Sequence, residues 1–72
     1  MIAERIKHLR EKNNLTQSSL AKKLNVTRSS VNAWEMGISV PSTALIVDLA
    51  KLFHVSTDYL LELNENATLD IS

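Results

Sequence analysis

The chain has 72 residues, which suffices for one domain that buries only about 60% of its unfolded surface. It has no cysteine, which excludes disulfides and thiolate zinc sites. Its longest apolar run, residues 44–47, is far shorter than the roughly 18 residues of a membrane span. The first residues lack the basic and then apolar profile of a secretory signal. We therefore expect a small cytoplasmic protein with no membrane contact.

The formal net charge is zero, but the two halves of the chain differ. Residues 1–36 carry seven basic and three acidic side chains, a net charge of +4. Residues 37–72 carry one basic and five acidic side chains, a net charge of −4. This asymmetry is typical of a protein with a positive end for a polyanion and an acidic end facing away. Two solvated faces that differ by chance are the alternative.

The spacing of the apolar residues predicts five short helices, and one glycine and one proline leave little for strands. The first helix spans roughly residues 2–12. Thr16 is predicted to cap the second helix and Thr27 the third. About three residues then separate helices two and three, the connection length of a DNA-binding helix-turn-helix.

The second half of the chain is predicted to add two more helices. Gly37 ends the third helix in a left-handed conformation, and residues 38–41 form a linker because proline cannot continue a helix. Ser42 is predicted to cap the fourth helix. The fifth helix is expected to carry Leu60 and Leu61 inward.

The last segment differs in character from the helices. Residues 62–72 are polar and acidic, and we expect much of this tail to be mobile beyond a domain spanning residues 1–61. The alternation in residues 68–72 also allows the tail to pair as a strand with a partner chain.

A set of motifs recurs at characteristic separations along residues 2–61. They are Ile6-x-x-Leu9-Arg10, Leu15-Thr16-Gln17-x-x-Leu20-Ala21, Val26-Thr27-Arg28-Ser29-Ser30-Val31, Trp34-Glu35-x-Gly37, Pro41-Ser42, Leu49-Ala50-x-x-Phe53-x-Val55-Ser56 and Asp58-Tyr59-Leu60-Leu61. Together they resemble the Cro and phage-repressor (XRE-type) superfamily of helix-turn-helix regulators. The resemblance implies an all-α, phage repressor-like fold with the helix-turn-helix at helices two and three. It also implies a sequence-specific DNA-binding transcriptional regulator with a recognition helix at about residues 28–36 in the major groove. The regulator is expected to be a repressor, with an activator as the alternative.

The resemblance assigns base contacts to the third helix. In this family the first residues of the helix touch base edges, and that role falls on Arg28 and Ser29, with Asn32 and Ala33 about one turn later. A guanidinium can bridge guanine O6 and N7, an asparagine can read adenine, and an alanine can rest against a thymine methyl. The alternatives are a phosphate contact or a solvated charge for Arg28, and ordinary solvent-facing roles for Ser29 and Asn32.

The resemblance also implies contacts to the DNA backbone. Gln17 is expected to hold a phosphate together with the N-terminus of the second helix. Thr16 and Thr27 share this role or act as N-caps alone. Where relatives often carry Lys or Arg after the third helix, this chain is apolar, so contacts there are expected from backbone N–H groups and hydroxyls. The candidate hydroxyls belong to Ser39, Ser42 and Thr43.

The resemblance further implies an ion pair between Arg10 and Glu35 that joins helix one to the end of helix three. If the pair is partly buried, it fixes the angle of the recognition helix. If it lies at the surface, it contributes only about 0 to 1 kcal/mol.

The sequence contains nothing that indicates catalysis or a bound metal. His8 and His54 lie far apart and lack further ligands nearby in sequence, so we expect no metal and no cofactor. There is no glycine-rich phosphate loop, thiol or paired-carboxylate motif, so we expect no enzyme.

The expected partners are a palindromic DNA operator and a second copy of the chain. The C-terminal half has apolar residues beyond those needed for a core, and these can form a dimer surface or be buried within one protomer. They are Leu45, Val47, Leu52, Tyr59 and Leu63. The alternative function is an antitoxin that binds a toxin, or another protein-interaction module.

Overall fold

Five helices account for most of residues 2–61, the part of the chain that this computed structural model describes. They are α1 (Ile2–Lys12), α2 (Gln17–Leu24), α3 (Arg28–Glu35), α4 (Thr43–Phe53) and α5 (Thr57–Leu61). The described part of the chain has no strand, and the predicted all-α, five-helix fold class is confirmed. The predictions for the tail and for Leu63 lie outside the described residues.

Hydroxyl side chains start the three central helices. Thr16, Thr27 and Ser42 have extended backbones at the N-caps of α2, α3 and α4. Each hydroxyl oxygen accepts the N–H of the residue three positions later, at 3.0, 3.1 and 3.3 Å respectively. Because these N–H groups have no partner within the helix, the caps fix where each helix begins.

Residues with positive φ end the helices or follow them closely. Asn25 and His54 are the left-handed C-caps of α2 and α4, at φ of 61° and 58°. Asn14 follows α1 at φ of 60°, and Gly37 follows α3 at φ of 76°. Asn25 lets the chain turn within the three residues 25–27 that separate α2 from α3, so that these two helices pack directly against each other.

The core lies where the five helices meet. Helix α3 packs against α1 and α2, and α5 packs against α1 and α4. The Arg5 guanidinium of α1 also lies 4.1 Å from the ring centroid of Tyr59 in α5. The buried apolar residues are Ile6, Leu9, Leu20, Ala21, Val31, Trp34, Leu49, Ala50, Phe53 and Leu60. Among residues 2–61, no helix has the length and apolar character needed to cross a membrane.

The structure corrects the expectation for the end of α5. Leu60 is fully buried, whereas Leu61 is 38% exposed. The prediction that both point inward is wrong because consecutive helical residues are separated by about 100° around the axis.

The apolar residues expected at a dimer surface do not share one environment. Leu45, Leu52 and Tyr59 are partly buried against the core of the same protomer, whereas Val47 is 38% exposed. Most of this set therefore contributes to the fold of the protomer.

Candidate nucleic-acid interface

Helix α3 has one face in the core and one at the surface. Val31 and Trp34, three positions apart, are buried and attach the helix to its neighbours. Arg28 and Ser29 at its first turn are exposed, and Asn32 and Ala33 are half-buried one turn later. The structure therefore places the four predicted base-contact residues on the part of α3 that is not buried in the core.

The threonines expected at the DNA backbone are engaged as caps. Thr16 Oγ1 accepts from the N–H of Ser19 and also donates to its Oγ at 2.9 Å. Thr27 Oγ1 accepts from the N–H of Ser30, and the two hydroxyl oxygens lie 3.1 Å apart. Both threonines are exposed. The hydroxyls have local partners, so the groups at these helix ends best suited to an anion are the backbone N–H groups of the first turn.

Arg10 and Glu35 lie together between α1 and the end of α3. Arg10 Nε donates to Glu35 Oε2 at 2.6 Å and Nη2 donates to Oε1 at 3.0 Å. Their side chains are 11% and 5% exposed, so the pair is mostly buried. Arg10 Nη1 also donates to the Leu15 carbonyl oxygen at 2.8 Å, just before α2. One guanidinium thus connects α1, the start of the helix-turn-helix and the last residue of α3.

The hydrogen bonds of this pair favour the charged form of the arginine further. They raise the pKa of Arg10 above its ordinary value, although burial of the guanidinium acts in the opposite direction. The nearby Glu11 carboxylate, with Oε2 3.8 Å from Nη2, adds a smaller raising effect.

Gln17 has a role that the sequence reasoning missed. Its Nε2 donates to Asn32 Oδ1 and to Glu35 Oε1, both at 3.1 Å. An amide nitrogen has two N–H groups, so both donors of the side chain are used within the protein. Asn32 and Glu35 are three positions apart on α3 and share a face, so one side chain of α2 can contact both.

The loop after α3 is apolar and exposed. Met36, Ile38 and Val40 are 65%, 71% and 64% exposed. The N–H groups of Ile38 and Ser39 donate to the Ala33 carbonyl oxygen at 2.9 and 3.3 Å. These two backbone donors cap α3, so the backbone N–H contacts to phosphate that the sequence predicts after α3 would have to come from other residues.

The three hydroxyls considered for this region differ in their engagement. Ser39 and Thr43 are exposed, and Ser42 is the N-cap of α4.

Across residues 2–61, no three histidine or acidic side chains are grouped as a metal site would need.

Known proteins similar to this chain include transcriptional regulators and an antitoxin. The uncharacterized HTH-type transcriptional regulator YqaE of Bacillus subtilis (strain 168) is 35% identical over 66 residues, which cover 92% of this chain and 57% of YqaE. Antitoxin PezA of Streptococcus pneumoniae serotype 4 is 39% identical over 56 residues, which cover 78% of this chain and 35% of PezA. The chain therefore spans only part of the length of either relative.

A solved structure shares the arrangement of the helices. The P22 c2 repressor in complex with a synthetic operator matches with a TM-score of 0.82 at 30% identity, covering 89% of this chain and 97% of that chain. The helix-turn-helix family matches residues 6–60, a span that begins within α1 and ends within α5. The resemblance drawn from the sequence is confirmed: this chain belongs to the helix-turn-helix family.

Proposed function

We propose that this chain is a sequence-specific DNA-binding transcriptional regulator, a repressor, that places α3 in the major groove. The proposal rests on one observation, which is that α3 has an exposed N-terminal end and a buried face. Arg28 and Ser29 are exposed at its N-terminus, while Val31 and Trp34 anchor the opposite face in the core. The major groove admits one helix, and a guanidinium can pair with guanine O6 and N7. The similarity to YqaE and to the operator-bound P22 c2 repressor supports this function.

Phosphate binding in this proposal relies on the starts of α2 and α3. Phosphates are acceptors, and the Gln17 side chain has no N–H left to donate unless it releases Asn32 or Glu35. The N–H groups of the first turns of α2 and α3 and the positive ends of their dipoles are suited to hold phosphates. Gln17 then contributes through its backbone, as do Thr16 and Thr27 by capping these turns. Ser39 and Thr43 are the exposed hydroxyls available after α3.

The proposed assembly is a cytoplasmic homodimer on a palindromic operator. Two copies of α3 would read half-sites about 34 Å apart, one turn of B-DNA. The exposed apolar side chains of Ile38 and Val40, in the loop after α3, support self-association through this loop. The loop contains no lysine or arginine that could bind a phosphate.

A second candidate function is that of an antitoxin, which the similarity to PezA favours. An antitoxin that acts only through a protein partner has no need of an exposed arginine at the start of α3. The effect of Arg28 on DNA selectivity therefore separates the two functions.

The experiment is selection of duplex DNA from a random pool, repeated with Arg28→Ala. We expect a short two-fold symmetric consensus, and relaxed selectivity at one position of each half-site by about 1 to 3 kcal/mol in the variant. Lys23→Ala, on the exposed surface of α2, is the matched control and should weaken binding to all sequences alike. Equal affinity of the parent protein for every sequence would overturn the proposal.

A further inference from the structure

The amides of Gln17 and Asn32 continue a chain of hydrogen bonds that starts at the mostly buried ion pair. Arginine can only donate hydrogen bonds, and a carboxylate can only accept them. The Glu35 carboxylate therefore dictates which end of the Gln17 amide faces it, and Gln17 Nε2 donates to Glu35 Oε1 at 3.1 Å. The second N–H of that nitrogen donates to Asn32 Oδ1 at the same distance. Each hydrogen bond in this chain therefore determines which end of the next amide donates and which end accepts.

Asn32 consequently presents hydrogen-bond donors to its surroundings. Its Oδ1 is turned to Gln17, which leaves Nδ2 with two N–H donors on the other side of the amide. Nδ2 lies 3.5 Å from Met36 Sδ, and a thioether is a weak acceptor. Asn32 is half-buried and Met36 is exposed. A stronger acceptor that approaches from solvent can therefore take the place of the sulfur.

We propose that Asn32 reads base edges as a hydrogen-bond donor only, and that Gln17 is the positioning residue that sets this polarity. The inference rests on the proposed function, since it takes α3 to lie in the major groove. Bidentate recognition of adenine needs both ends of an asparagine amide, one accepting from N6–H and one donating to N7. Guanine offers the acceptors O6 and N7, and thymine offers O4. Adenine offers a donor-only side chain a single acceptor, N7, beside its own N6 amino donor. The base favoured opposite Asn32 is then guanine or thymine rather than the adenine expected from the sequence.

Two substitutions test the polarity, and the first keeps the shape of the side chain. Asn32→Asp keeps an oxygen for Gln17 and replaces Nδ2 with a second acceptor, so the base preference should move to cytosine or adenine, which carry amino groups, by about fivefold or more. Gln17→Ala releases the Asn32 amide, so adenine should compete with guanine at the same position. The readout is the relative preference among bases at one position, which a uniform loss of affinity from the added charge does not change. Asn32→Ala identifies that position, and Asp48→Asn, on the exposed surface of α4, is the control.

The outcomes separate this inference from the proposed function. A guanine or thymine preference that Asn32→Asp moves to cytosine or adenine supports the inference. A parent protein that selects adenine at this position, or whose consensus is unchanged by Asn32→Ala, overturns the inference and leaves the proposed function standing. A parent protein that selects no sequence overturns both. In the free protein, NMR should detect scalar coupling across the hydrogen bond from Gln17 Nε2 to the Asn32 carbonyl, and an Asn32 amide turned the other way would contradict the hydrogen-bond chain itself.

Discussion

Glu35→Gln probes most directly how α3 is held in place. The carboxylate accepts two hydrogen bonds from Arg10, at 2.6 and 3.0 Å, and one from Gln17 at 3.1 Å. A glutamine at this position offers one accepting oxygen, and its NH2 would face a donor in either orientation. The Arg10 guanidinium, at 11% side-chain exposure, would keep its charge but lose its partner.

The expected loss of stability follows from how deeply the pair is buried. Removing one partner of a buried pair costs about 3 to 5 kcal/mol, whereas an exposed pair contributes about 0 to 1 kcal/mol. Glu35 is nearly buried, but Arg10 keeps the Leu15 carbonyl and some water contact. We therefore expect about 3 kcal/mol, near the lower limit for a buried pair. In a domain of this size that corresponds to a fall in Tm of about 12 to 24 °C.

The assay is thermal and urea unfolding followed by circular dichroism. Glu11→Gln is the matched control, because it removes the same charge near the same arginine. The Glu11 side chain is 58% exposed and its Oε2 lies 3.8 Å from Arg10 Nη2, so its loss should cost less than about 1 kcal/mol. Equal losses of Tm in the two variants would show that burial does not make the Glu35 contact strong. A fall in operator affinity with Glu35→Gln, measured well below its Tm, would further show that the pair sets the angle of α3.

Three further substitutions test the caps and the exposed loop. Thr27→Val keeps the shape of the side chain but removes the hydroxyl acceptor of the Ser30 N–H, which then keeps only the Thr27 carbonyl oxygen, so the free energy of unfolding should fall by about 1 kcal/mol. No change in urea denaturation would contradict the capping role. Gly37→Ala should cost about 1 to 2 kcal/mol because φ is +76°; since no atom lies within 4 Å of an added Cβ, a much larger loss would show a clash that the structure does not contain. Ile38→Glu should leave Tm nearly unchanged but weaken self-association in sedimentation, and an unaltered association constant would exclude this loop from the dimer surface.

The helices were predictable from sequence because their signals are local. Thr16, Thr27 and Ser42 each cap a helix through a bond to a residue three positions away, and Gly37 marks the end of α3. Such contacts depend on the neighbouring residues alone, so the sequence pattern contains them. The inward direction predicted for Leu61 failed because α5 is too short for its apolar residues to define a face.

The exposed end of α3 was also predictable, but the state of its polar groups was not. The positions of Arg28 and Ser29 follow from the spacing of Val31 and Trp34 on the opposite face. The bonds of Gln17 join residues 15 and 18 positions apart, and they depend on how α2 lies against α3. No local pattern contains that geometry.

In the proposed function, the N-terminal end of α3 contacts the DNA. An NMR titration of the labelled protein with a selected duplex, following the backbone amides of residues 2–61, locates the contact surface. The largest shifts should occur at the first turns of α2 and α3, from Gln17 to Ser19 and from Arg28 to Val31. Shifts concentrated on the exposed residues of α4 and α5, with both first turns unchanged, would contradict it.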